Sequence, residues 1–167
     1  MTLRTFMFDS RAAAATEFAL ILPLLTLLMF TGSEAGHFVW TQHKLTEGVR
    51  DGVRYASRLP IDQVCNGSTA VLSGTALANV KLITRTGQVA NAQANATVPG
   101  WGAAQVSVTV SCQAFVDTGL YTDLNRAGPI VTVQALNVAY PSLFQALGNF
   151  PSSIQLNAKA NSAVIGI

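Results

Sequence analysis

The run over residues 12–32 constrains this chain more than any other part of it. Across those 21 residues the only charge is Glu17, and residues 18–31 are almost purely apolar. A helix needs about 20 residues to cross the hydrocarbon of a bilayer, so a membrane span fits. Pro23 lies inside the run. It would break a helix in water, but a membrane helix tolerates the kink where neighbours satisfy the freed carbonyl. Residues 1–11 form a short segment before the run, with Arg4 and Arg11 as their basic groups.

Composition agrees with a membrane segment, a secreted surface, or both. Only 11% of residues are charged, against about 25% in ordinary soluble domains. A net charge of +2 without a dense Lys/Arg tract gives no ground for nucleic-acid binding. The two cysteines, Cys65 and Cys112, form no C-x-x-C, and His37 and His43 are far from both in sequence. No metal or cofactor is expected from such spacing. Asp9, Asp117 and Asp123 are scattered, with no nucleophile beside a base, so neither catalysis nor a small-molecule substrate is expected.

The helical pattern continues past the apolar run. Phe38, Val39 and Trp40 suit a membrane interface, and Leu45, Val49 and Val53 recur every fourth residue as one apolar stripe. Glu47 with Arg50, and Asp51 with Arg54, are spaced to pair across the solvated side. Pro60 ends the pattern. A helix over residues 13–58 would be 46 residues long, on the order of 70 Å at 1.5 Å per residue. The remaining residues cannot cover that length, so half of it must pack elsewhere.

After Pro60 the spacing changes. Residues 61–69 read as a loop holding Cys65, and residues 69–86 as a second helix capped by Gly87. Residues 88–104 read as an Asn/Ala/Gly-rich loop with a short strand near 94–98. Three alternating segments come next, over 106–110, 130–140 and 154–160, separated by Gly, Pro and Asn turns. The predicted fold is α+β: a long N-terminal helix packed on a small domain with one further helix and a three- or four-stranded antiparallel sheet.

Several side chains invite specific readings. An ionised group in or near hydrocarbon costs a few kcal/mol and is by default functional, although Glu17 at the edge of the run could also snorkel into the headgroups. Gly32 with Gly36, and Gly48 with Gly52, form two G-x-x-x-G pairs that let helices approach closely. Glycine in a helix outside the membrane costs about 1 kcal/mol, so the second pair in particular suggests packing against a partner. Arg50, Arg54 and Arg58 line up as a basic ridge, which is either a solvated face or a contact for an acidic partner.

The residues "RAAAATEFALILPLLTLLMF", Gly36 and "LTEGVRDGVRYASR" together resemble the TadE-like family, minor pilin-like proteins of the Tad (tight adherence) pilus machinery. The resemblance covers residues 11 to about 58. It implies a prepilin cut by a dedicated aspartic prepilin peptidase between Ala12 and Ala13, with Glu17 and the aromatic Phe18 at fixed places after the cut. Ala12 stands where glycine is usual, and alanine is its nearest substitute in size. The resemblance further implies that Glu17 meets the new amino terminus of a neighbouring subunit. That contact would set the register of one helix against the next.

On this reading residues 1–12 are a cytoplasmic leader, 13–33 span the bacterial inner membrane, and 34–59 continue the helix. Residues 60–167 then form a periplasmic domain. Expected partners are the prepilin peptidase, other minor pilins and the pilus-assembly platform. Arg4 and Arg11 against Lys44 and Arg50 leave orientation nearly undecided by charge. The resemblance and the cysteines favour an outside carboxyl domain, where Cys65 and Cys112 would be a disulfide rather than two separate buried thiols. Two other readings stay open. The chain could be an uncleaved single-pass protein with a scaffold or binding domain. Alternatively, "SEA" before Gly36 could be cut by ordinary signal peptidase, releasing a soluble binding module.

Overall fold

A single helix, α1 (Ser10–Ser57), runs through 48 residues of the computed structural model, which describes residues 10–89, 91, 93–112, 128–144 and 154–166. Side chains of α1 are described from Ala14 onward. Most of the proposed leader (residues 1–9), Asp117 and Asp123 lie outside the described residues. Pro23 is accommodated within α1. The helix begins three residues before the expected start and closes one before the expected end. There the Arg58 and Leu59 N–H groups tighten the last turn onto the carbonyls of Tyr55 and Ala56, at 3.1 and 3.3 Å.

The stretch holding Cys65 is more ordered than a loop. A one-turn helix α2 (Ile61–Val64) leads into strand β1 (Cys65–Asn66), which pairs antiparallel with β2 (Thr69–Ala70). That ribbon takes the first residues expected in the second helix, so α3 spans Gly74–Thr86. Gly87 caps it in the left-handed conformation, its N–H donating to the Ile83 carbonyl at 2.8 Å. The strand expected near 94–98 does not form. The Thr97 N–H and hydroxyl go instead to the Arg85 carbonyl at the end of α3, at 2.7 and 3.1 Å, and Val98 and Trp101 turn into the core.

A short 3-10 turn (Ala103–Gln105) introduces β3 (Val106–Ser111), with β4 (Ile130–Ala139) and β5 (Gln155–Ala163) after it. They form one antiparallel sheet in the order β3-β4-β5. One face packs on the C-terminal half of α1, which α3 covers from another side. Leu45, Val49, Val53 and Ala56 of α1 meet Val80, Val106, Val131, Val133 and Leu156 in the resulting core. Ile165 then donates to the Ser57 carbonyl at 2.8 Å, fastening the end of the sheet to the end of α1.

One irregularity in the sheet decides where Tyr140 points. The β4–β5 register shifts between Ala135 and Val138, and Asn137 adopts φ +55°. Val131, Val133 and Ala135 face inward before the bulge, and Val138 and Tyr140 face inward after it. A bulge changes which residues face the core beyond it. Uninterrupted alternation would have pointed Tyr140 away from α1. The bulge is held on both sides: Asn137 N–H donates to Asn157 Oδ1 at 2.9 Å, and Gln105 Nε2 donates to the Asn137 carbonyl at 2.8 Å.

Candidate assembly interface

The lower part of α1 stands clear of the domain. Every residue from 14 to 33 is exposed, including Phe18, Leu20, Leu24, Leu27 and Met29. It is the one helix among the described residues that is long and apolar enough to cross a membrane. Three of its hydroxyls are turned onto the helix itself. Thr26 donates to the Pro23 carbonyl (2.9 Å), Thr31 to that of Leu27 (2.8 Å) and Ser33 to that of Met29 (2.9 Å). Polar groups satisfied in this way can sit in hydrocarbon without an outside partner. Glu17 is exposed near the start of this surface, beside Phe18. The backbone of Ala12 and Ala13 is already helical.

The two glycine pairs have opposite surroundings. A Cβ at Gly48 would collide with the Thr84 carbonyl oxygen and the Trp101 ring, and one at Gly52 with the Thr84 hydroxyl. These glycines therefore bring α1 against α3 of the same chain. Nothing lies within 4 Å of a Cβ built at Gly32 or Gly36. Whatever partner the sequence pattern suggested for Gly48 and Gly52 is thus internal, and the open pair is the lower one.

Where α1 leaves its exposed stretch, the turn after β4 closes on it. The Phe144 ring stands edge-on to Phe30, centroids 5.2 Å apart, and Tyr140 stands edge-on to Phe38 at 5.3 Å. The Tyr140 hydroxyl donates to the Glu34 carbonyl at 3.2 Å and lies 3.0 Å from His37 Nδ1. The Glu34 carboxylate accepts the Leu143 N–H at 3.2 Å. The Ser142 hydroxyl, aided by the Leu143 N–H, holds that carboxyl below its usual range. Burial first, then Glu34, pushes Tyr140 up to about 12. Phe30, Ala35, Val39, Phe144 and Ile154 border an open apolar hollow of about 530 Å³. Farther up, Gln42 Nε2 donates to the Asn157 carbonyl at 3.0 Å.

This collar of Glu34, His37 and Tyr140 is not singled out by motif. Its signal is the stripe of Leu45, Val49 and Val53 continued backward in steps of three and four, which passes through Phe38, Glu34 and Phe30. His37 is half-buried against Tyr140. Arg50, Arg54 and Arg58 are all exposed, with Arg54 3.5 Å from Asp51. Glu47, expected to pair with Arg50, lies instead against His43 (3.1 Å) and Lys44 (3.6 Å). Cys65 and Cys112 are joined as a disulfide that ties β1 to the end of β3. Among the described residues no cluster of His, Cys, Asp and Glu could hold a metal ion.

Compared with known families, residues 12–54 match the model of the TadE-like protein family, about a quarter of the chain. The matched segment is α1 with the exposed surface, the collar residues of the helix and both glycine pairs. No curated protein and no solved structure matches the chain.

Proposed function

We propose that this chain, TadE-like over residues 12–54, is a minor pilin-like component required for assembly of a Tad-type adherence pilus. The family match supports a Tad pilus-associated protein, and the apolar helix is compatible with a single-pass membrane anchor. One observation carries the finer reading. The same helix is exposed over residues 14–33 and buried from Leu45 to Ala56 along one stripe. A subunit that moves from lipid into an assembly needs such a helix: free to be solvated by acyl chains first and by neighbouring helices afterwards.

In this reading the prepilin peptidase cuts between Ala12 and Ala13, and the domain from about residue 60 onward lies in the periplasm. The new ammonium at Ala13 and the carboxylate of Glu17 are about one helical turn apart along the axis. Two subunits offset by that distance can pair acid with amine, each neutralising a charge that hydrocarbon disfavours. Other minor pilins and the assembly platform are the partners, the protein being the substrate of an enzyme rather than one itself. Continuity of α1 across Gly36 favours this over a secreted module. A cut before Gly36 would detach Phe30 and Glu34 from their contacts with the turn after β4.

Amino-terminal sequencing and intact mass of membrane-extracted protein test the proposal. A chain starting at Ala13 in cells that contain the peptidase is the expected result. An intact Met1 would instead favour an uncleaved anchor, and a start at Gly36 a secreted binding module.

A further inference from the structure

We infer that the turn after β4, carrying Leu143 and Phe144, is a second membrane contact: an apolar foot seated in the outer edge of the bilayer that α1 crosses. The inference rests on the reading of α1 as a membrane span. Phe30 lies inside the apolar run, two residues before Gly32, which places its Cα about 3 Å below the end of the span. Phe144 packs edge-on against that ring at 5.2 Å. A helix inserted to Gly32 therefore carries Phe144 and its neighbour Leu143 to the hydrocarbon boundary.

The chemistry of the turn suits that depth. Leu143 is 50% exposed and Ile154, whose carbonyl accepts the Tyr140 N–H at 3.0 Å, is 51% exposed. Ile154 borders the hollow between Phe30 and Phe144 beside Ala35 and Val39 of α1, and Leu143 adds exposed apolar surface next to Phe144. The acid at this level, Glu34, is capped by the Leu143 N–H and the Ser142 hydroxyl, and its carbonyl by Tyr140. Those bonds offset part of the desolvation that a carboxylate near lipid would suffer. Lipid is the occupant that this surface favours, because it is continuous with the face of α1 that acyl chains would already cover. Because the domain is already packed on the upper half of α1, a second membrane contact limits the tilt of the whole subunit, so the height and tilt of the domain are set before assembly. Removing the subunit from the bilayer then requires the foot to leave with the helix.

The test uses the full chain with its disulfide intact, in vesicles of phosphatidylethanolamine and phosphatidylglycerol. Nitroxide labels are attached at Leu143→Cys, at Leu25→Cys in the middle of the apolar run, and at Asp62→Cys on the far part of the domain. Power saturation with oxygen and with a nickel chelate reads the depth of each. The expected result is an oxygen-to-nickel accessibility ratio at position 143 several-fold above that at position 62 and approaching that at position 25. A ratio at 143 equal to that at 62, with 25 still in lipid, overturns the foot and leaves the membrane span standing. Protection at 143 from both reagents with dipolar broadening between labels would assign the surface to a second copy, also overturning it. Nickel access at 25 would remove the span and the foot together.

Discussion

The carbonyl oxygen of Thr84 occupies the space that a Cβ at position 48 would need. Backbone cannot rotate out of the way as a side chain can, so Gly48 is required by the fold, whereas Gly32 and Gly36 are not. Gly48→Ala should therefore lower unfolding stability by about 1–3 kcal/mol. The gain in helix propensity from alanine, about 1 kcal/mol, offsets part of the cost of separating α1 from α3. Gly36→Ala should leave denaturant midpoints unchanged or slightly raised. Urea unfolding of both variants in the same detergent checks the contrast, and equal losses would contradict it.

Asn137 is the second position where backbone geometry limits the residue. At φ +55° a β-branched side chain crowds its own backbone, so Asn137→Val should cost about 1–2 kcal/mol. Glycine adopts the same conformation readily, and Asn137→Gly should stay within a few tenths of a kcal/mol of the parent. Because the bulge turns Tyr140 toward α1, the valine variant should also disturb the His37 ring resonances in a proton spectrum. A valine variant with parental stability and an unmoved His37 would show that the bulge is not needed to place Tyr140.

These two positions mark where the sequence was legible and where it was not. The i, i+4 stripe of Leu45, Val49 and Val53 announces the buried side of α1, because helical periodicity is local. Val106 to Val110 announces β3 for the same reason. The bulge at Asn137 has no local signal: apolar residues continue on both sides of it, and only pairing with Asn157 and Gln105 shows the slip. Gly48 and Gly52 form a packing motif in sequence, but whether the packing partner is another chain or α3 depends on a contact with Thr84, 36 and 32 residues away. The collar is harder still, since Glu34 and Tyr140 are separated by 106 positions.

The disulfide between Cys65 and Cys112 joins positions 47 residues apart. Constraining the unfolded chain over such a loop is nominally worth about 4 kcal/mol, and loss of a native bridge from a small domain typically costs about 2–5 kcal/mol. The paired substitution Cys65→Ser with Cys112→Ser should lower stability within that range, as should reduction of the parent. Thermal melts with and without reductant measure the effect. A reductant that shifts the parent and leaves the double variant untouched isolates this bond as the cause.

Tyr140 predicts a pH response at the collar. Its hydroxyl is pushed up from 10.0 to about 12, burial being the larger cause and the bond and charge of Glu34 the smaller. For a group raised in the folded state, its share of stability is complete below pH 10 and is lost as pH climbs toward 12. Glu34 acts in the opposite direction: its carboxyl is lowered from 4.5, so its share is present above that value and fades as pH falls through the folded one. Tyrosinate absorbance should show a late phase near pH 12 that Tyr140→Phe removes. A phenylalanine variant that keeps the late phase would assign it elsewhere.

Glu17 carries the last prediction, which concerns assembly rather than stability. The residue is exposed on the free part of α1 and makes no contribution to the core, so Glu17→Val should leave the fold and its melting unchanged. Removing a charge from an apolar run also favours insertion, and the variant should reach the membrane at least as well as the parent. If an acid-amine contact sets the register between subunits, piliation should nevertheless be lost, because the ammonium of the neighbouring chain is left without its partner. Glu17→Asp, which keeps the charge on a shorter arm, should restore part of it. Counting surface pili beside membrane-fractionated protein separates the two effects, and normal piliation in the valine variant would refute the register role.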